Sequence, residues 1–164
     1  LEGDLIMGMD VSGIKPTSEK GIYFRANVWS WRPIHSLMAM ANARNKYMLM
    51  TQEQWESMDH NDGAGLQTQK ECNDLADALE SILKNNKELR EFGFIVSAKE
   101  DEIKIRFPLT GDDDEMAIDI RNGSFVSNTK TIPTEYKTSP YSVSLSHAKE
   151  FVVFLRECGG FSVY

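Results

Sequence analysis

Glu102-Ile103-Lys104-Ile105-Arg106-Phe107 is the stretch that decides the fold class. Apolar side chains at 103, 105 and 107 alternate with charged ones at 102, 104 and 106, the period of a strand with one buried face. Met116, Ile118 and Ile120 repeat the alternation around Ala117 and Asp119. Pro108 to Asp114 joins the two segments, which predicts a hairpin with a long loop. Phe92 to Val96 reads as a further strand, and Asn122-Gly123 marks a turn into Ser124-Phe125-Val126.

On either side of this region the period changes. Cys72, Leu75, Ala76, Leu79, Ile82 and Leu83 form one helical stripe, with Lys70, Asn73, Asp77, Glu80 and Lys84 off it, and the helix stops around Asn85-Asn86. Ile34, Leu37, Met38 and Ala41 predict another helix, with Pro33 at its first position and an end near Asn45. Thr51 and Gln54 have capping-box spacing, so a short helix is expected from Gln52 to Ser57. A last helix starts at Ser144 or Ser146, carries Ala148, Phe151, Val152 and Leu155 on one face, and ends at Gly159-Gly160. Residues 7–13 predict a short strand ending at Gly13. A turn over Lys15 to Glu19 follows, and Phe161 to Tyr164 adds an edge strand.

Helices segregated from strands predict an α+β fold. The expectation is a single domain over residues 7–164, with an antiparallel sheet mainly in residues 91–135 packed against about three helices. Met7-Gly8-Met9 reads as a natural start, and residues 1–6 are expected not to be native.

The chain has 164 residues, enough to bury a core without a metal or disulfide. Its net charge of -7 weighs against direct nucleic-acid binding and against an anionic membrane surface. No apolar run reaches the ~20 residues of a membrane helix. Cys72 and Cys158 both fall on apolar stripes and read as core residues in a reducing, cytoplasmic setting.

The stretch richest in binding chemistry is Tyr23-Phe24-Arg25-Ala26-Asn27-Val28-Trp29-Ser30-Trp31-Arg32-Pro33. Indole faces stack on planar groups and cations, and guanidinium forks hold carboxylates or phosphates. The segment reads as extended, which puts Trp29 and Trp31 on one face, either packed in the core with Arg25 and Arg32 in structural ion pairs or open as one stacked surface. The loop Asp59 to Gly65 departs from a calcium loop because Gly63 stands where the fifth position needs a ligand. It reads either as a tight loop that caps the following helix or as a polar loop whose Asn61 and Asp62 contribute to a cleft. Asp112 to Glu115 reads as a solvated hairpin tip. His35, His60 and His147 show no metal-ligand spacing, and no nucleophile motif occurs. The candidate surface is therefore Asp10, Arg25, Asn27, Trp29, Trp31 and Arg32, with Asn61 and Asp62 lining the same cleft. No catalytic residue, metal or cofactor is assigned.

Met7-Gly8-Met9-Asp10-Val11-x-Gly13, Pro16-x-x-Glu19-x-Gly21-x-Tyr23-Phe24-Arg25-x-Asn27-Val28-Trp29-x-Trp31-Arg32-Pro33, Asn61-Asp62-Gly63-x-Gly65-Leu66 and Glu150-Phe151…Phe154-Leu155…Gly159-Gly160-Phe161 together resemble a family of small bacterial and phage proteins. Those proteins occur in prophages and other mobile elements. The resemblance implies that setting and no reaction. The leading expectation is a non-enzymatic binding or interaction protein with a protein or small-molecule partner. Two others stand beside it: a small enzyme acting on a phosphate-bearing or nucleotide-like ligand, with Arg25 and Arg32 as anion clamps and Asp10 or Asp62 as base, and an acidic inhibitor of a host nucleic-acid enzyme.

Overall fold

The structure, a computed structural model, describes residues 8–97, 101–108, 116–119, 124–127 and 136–164, with side chains for 8–97, 101–104 and 141–164. The fold is α+β, as expected from the alternation of strand and helix periods. In chain order the elements are β1 (Gly8–Gly13), a 3-10 turn (Glu19–Gly21), β2 (Tyr23–Asn27), α1 (Val28–Arg44), α2 (Gln52–Ser57), α3 (Gln69–Leu83), α4 (Asn86–Phe92), β3 (Phe94–Ser97), β4 (Glu102–Pro108), β5 (Met116–Asp119), β6 (Ser124–Ser127), β7 (Tyr136–Ser144), α5 (Leu145–Glu157) and β8 (Phe161–Val163). The expected tip at Asp112 to Glu115 and the turn at Asn122-Gly123 lie outside the described residues, as do residues 1–6.

The strands form two three-stranded antiparallel sheets, β2-β1-β8 and β3-β4-β7, and a separate β5-β6 pair. The strand over 102–108 is therefore present, but its partners are β3 and β7 and not β5. The expected β4–β5 hairpin is corrected: β5 pairs with β6. The β3-β4-β7 sheet extends past residue 135 to Ser144, and the strands expected at 7–13 and 161–164 join β2 in the other sheet.

α1 is the central helix. From Trp31 to Asn42 every residue except Arg32 is buried, so the expected stripe is one part of an all-round apolar surface. Its start also differs from expectation. Asn27 accepts the Ser30 amide at 2.9 Å and caps the helix, so the first turn forms ahead of Pro33 and the proline stands inside the helix. The proline removes one intrahelical bond, and the first turn is held instead by its cap and by tertiary contacts.

α3 carries the predicted stripe, with all six positions buried, and a capping box joins Thr68 and Glu71. α3 packs along α5, where Arg156 bridges Asp77 at 2.9 Å and Glu80 at 2.7 Å. The core between α1, α5 and the β2-β1-β8 sheet is aromatic. Phe24, Phe151, Phe154 and Phe161 meet with ring centroids 5.1–6.3 Å apart, and Trp31 meets Phe151 edge-on at 5.9 Å.

The six-residue α2 is clasped to α1 by side chains bonding to backbone. The Trp31 indole N–H donates to the Met58 carbonyl at 3.0 Å, and the Trp55 indole N–H donates to the His35 carbonyl at 2.7 Å. His35 in turn bonds the Trp55 carbonyl through Nε2 and stacks on the Trp55 ring at 4.0 Å. Asn42 accepts the Leu49 and Met50 amides at 2.8 and 3.1 Å and orders the connection between the two helices.

Burial holds His35 below its usual pKa. The Trp55 carbonyl and Asp59, whose carboxylate lies 4.0 Å from Nδ1, oppose that effect, while Arg32 and His60 add to it. As pH falls below about 6.5, the unfolded chain takes up a proton that the folded chain refuses. The contribution of neutral His35 is complete above that pH. It is lost on going down toward the folded-state value, at up to about 1.4 kcal/mol per pH unit. Urea midpoints at several pH values are expected to show this slope in the wild type. They are expected to show a shallower slope in His35→Gln over the same window; equal slopes would contradict it.

Candidate functional site

Two strand-to-helix junctions face each other across an open groove of about 520 Å³. One is β2 running into α1, with Asn27 as cap. The other is β7 running into α5, where Ser144 Oγ accepts the His147 amide at 3.1 Å. Arg25, Ala26, Asn27 and Ser30 line one wall. Glu102, Ser142 and Ser144 form the other, and Ser146, His147 and Glu150 close the end at α5. Both helices present their N-terminal turns here, where backbone amides carry partial positive charge.

Register places Asp10 opposite Arg25 in the β1–β2 pair. The Asp10 carboxylate lies 3.7 Å from the Arg25 guanidinium and also accepts from the Tyr23 hydroxyl. That bond to a carboxylate is the main reason the Tyr23 phenol is pushed above its ordinary value. A Cβ on Gly8 would come within 2.2 Å of the guanidinium, so the bare glycine makes room for Arg25 to lie across β1.

His147 is fixed on two sides. Its ring stacks on Phe24 at 4.8 Å, and Nδ1 lies 3.2 Å from the Glu150 carboxylate. The opposite wall carries Glu102, itself 3.5 Å from Lys104. The groove is thus lined by hydroxyls, an amide and charges of both signs.

Comparison with family models, with curated proteins and with solved structures gives no match. The geometry of the chain alone bears on its function.

The two tryptophans of the aromatic-basic segment part company. In a helix, residues two apart lie on opposed faces, so the expectation of one shared face is overturned. Trp31 is 1% exposed and belongs to the core. Trp29 is 45% exposed and packs one side on Tyr141, at 5.1 Å between centroids. Arg32, one turn further on, sits 4.9 Å over the same tyrosine ring. The register of β4 against β7 shifts between Lys104↔Ser142 and Arg106↔Thr138, and Tyr141 emerges from that irregularity around Pro140. Ser30 and Ser142, the chain neighbours of Trp29 and Tyr141, line the groove, but neither ring does.

Asn61 and Asp62 are exposed on a loop that joins the other end of the same sheet. Gly63 donates to the Val163 carbonyl at 2.7 Å, and Ala64 bridges Val163, on the side of β8 away from β2. Neither residue lines the groove; of the candidate residues Arg25 and Asn27 line it, Asp10 pairs with Arg25, and Trp29 and Arg32 meet at Tyr141. Of the remaining lining residues Ser142 went unnoticed in the sequence; Ser144 was read only as a helix start, His147 only as a histidine without metal-ligand spacing, and Glu150 only as part of the family signature. Among the described residues no group of three His, Cys, Asp or Glu could hold a metal ion, and no helix is long and apolar enough to cross a membrane.

Proposed function

We propose that this chain is a binding protein of a phage or other mobile element, engaging its partner through the first turn of α1 and the groove beside it. The observation that carries the reading is Trp29. A large indole held close to half exposed, tilted against Tyr141 with Arg32 over the same ring and next in the chain to the groove residue Ser30, is the composition of a binding hot spot. The sequence signature supports the mobile-element setting.

The reading is tested with a photocrosslinking residue at Ser30, and a control at exposed Lys20 near the far end of α5. Capture of a specific partner from Ser30 and not from Lys20 is expected. Trp29→Ala is expected to weaken its affinity about tenfold or more, some 1.4 kcal/mol, with an unchanged Tm. Equal capture from both positions, or affinity indifferent to Trp29→Ala, would overturn it.

His147 supports a second reading, a small enzyme acting on a phosphate-bearing ligand. An imidazole oriented by a carboxylate 3.2 Å away, facing a polar groove, has the arrangement of a general base. Turnover of a phosphoester by the wild type and not by His147→Gln separates this reading from binding alone.

A further inference from the structure

Cys72 on α3 and Cys158 at the C-terminal cap of α5 are both fully buried. Gln69 shows how the two backbones meet around them. Its amide donates to the Leu155 carbonyl at 2.8 Å, and its oxygen accepts the Gly159 amide at 2.6 Å. Gln69 and Cys72 lie three apart on α3, hence on one face, and Leu155 and Gly159 bracket Cys158 on the other chain segment. The clamp therefore places the Cys158 segment against the face of α3 that carries Cys72. Each acts on the other's ionisation: contact with Cys158 and burial push the Cys72 thiol up, while contact with Cys72 pulls Cys158 down. Cys158 Sγ donates to the Leu155 carbonyl at 3.4 Å.

We propose that Cys72 and Cys158 form a reversible dithiol–disulfide pair that staples α3 to the end of α5 when the protein meets a peroxide. The chemistry balances with hydrogen peroxide as the two-electron oxidant. The Cys158 thiolate attacks one peroxide oxygen, the O–O bond breaks, and water leaves with the thiol proton, giving a sulfenic acid. The Cys72 sulfur then attacks the Cys158 sulfur; the S–S bond forms, the S–O bond breaks and a second water departs. A thiol reductant reverses the step by exchange. The turn beside Cys158, Gly159-Gly160 with φ values of +67 and +96, is pinned by the Ile14 amide on the Gly160 carbonyl at 2.8 Å and the Lys15 amide on the Cys158 carbonyl at 3.1 Å. Peroxide reaches the buried pair only through local opening, so oxidation is slow.

The experiment treats the intact chain with hydrogen peroxide and follows intact mass, non-reducing mobility and Tm. The expected product is a monomer lighter by two hydrogens, with a higher Tm that dithiothreitol returns to the starting value. A loop this long places the rise at several degrees or more, roughly, by chain-entropy arguments. Cys72→Ser is expected to stop at a sulfenic acid trapped by dimedone on Cys158, and Cys158→Ser to give no rapid adduct. Sulfinic or sulfonic products, disulfide-linked dimers, or thiols that react only when the chain is unfolded in urea would each overturn the proposal. Should the serine variants fold poorly, the mass and reversibility of the wild type still decide it.

Discussion

Trp31→Ala is expected to lower unfolding stability by about 3–5 kcal/mol, while Trp29→Ala, two residues away, changes it by less than about 1 kcal/mol. The side chains have the same chemistry, so the contrast rests on position alone. Trp31 fills the space against Phe151, and its removal leaves a cavity that a helix clamped on all sides closes only in part. It also leaves the Met58 carbonyl at the end of α2 without its donor. Total stabilities of small domains are about 5–15 kcal/mol, so the loss takes a large share of what there is. Urea unfolding is the measurement. The Trp31→Ala midpoint is expected to fall with an unchanged slope, and comparable shifts for both variants would show that the two indoles do not divide as described.

Gly21→Ala is the second large effect. Replacing glycine by alanine in a compatible conformation stabilises by about 0.4–1 kcal/mol through the unfolded state. Here the sign reverses for a steric reason. An ideal Cβ on Gly21 would lie 1.8 Å from the Glu157 carbonyl oxygen and 2.2 Å from its carbon, both backbone atoms. The turn cannot retreat, since a Cβ on Gly13 would lie 1.9 Å from the Gly21 oxygen on the other side. Thr17 and Lys15 further tie this segment to the Glu157 and Cys158 carbonyls at 2.8 and 3.1 Å. The substitution forces apart β1, the 3-10 turn and the end of α5, and the expected loss is about 3 kcal/mol or more, at or beyond the upper end for overpacking. Lys20→Ala, on the exposed neighbour, is expected to be nearly neutral in the same thermal scan. A stabilised Gly21→Ala would mean that the three segments separate easily.

Where the period of the sequence was unambiguous, the structure follows it. The α3 stripe, the Thr51 box, β1, the strand over 102–108, the final helix and the Gly159-Gly160 stop all stand as read. The β4–β7 pairing was illegible because nothing local links residues so far apart, and β7 contains a proline that speaks against a strand. α4 was missed although Asn85 and Glu88 have the spacing of a cap and its third helical residue. The aromatic-basic segment misled for a definite reason. Val28, Trp29 and Trp31 favour strands intrinsically, and burial of α1 overrides that preference once Asn27 caps the turn. Half of the candidate groove, from Ser142 to Glu150, comes from a distant part of the chain that only folding brings beside Arg25.

The two walls of the groove share one property. β2 ends at Asn27 and α1 begins at Val28; β7 ends at Ser144 and α5 begins at Leu145. Neither joint contains a loop residue, so neither wall has slack. On the binding reading proposed above, an occupant meets walls already in their final shape, and little ordering entropy of the protein opposes association. Selectivity then falls to the fit of the occupant, since these walls are built to reject a poor match and not to mould themselves around it.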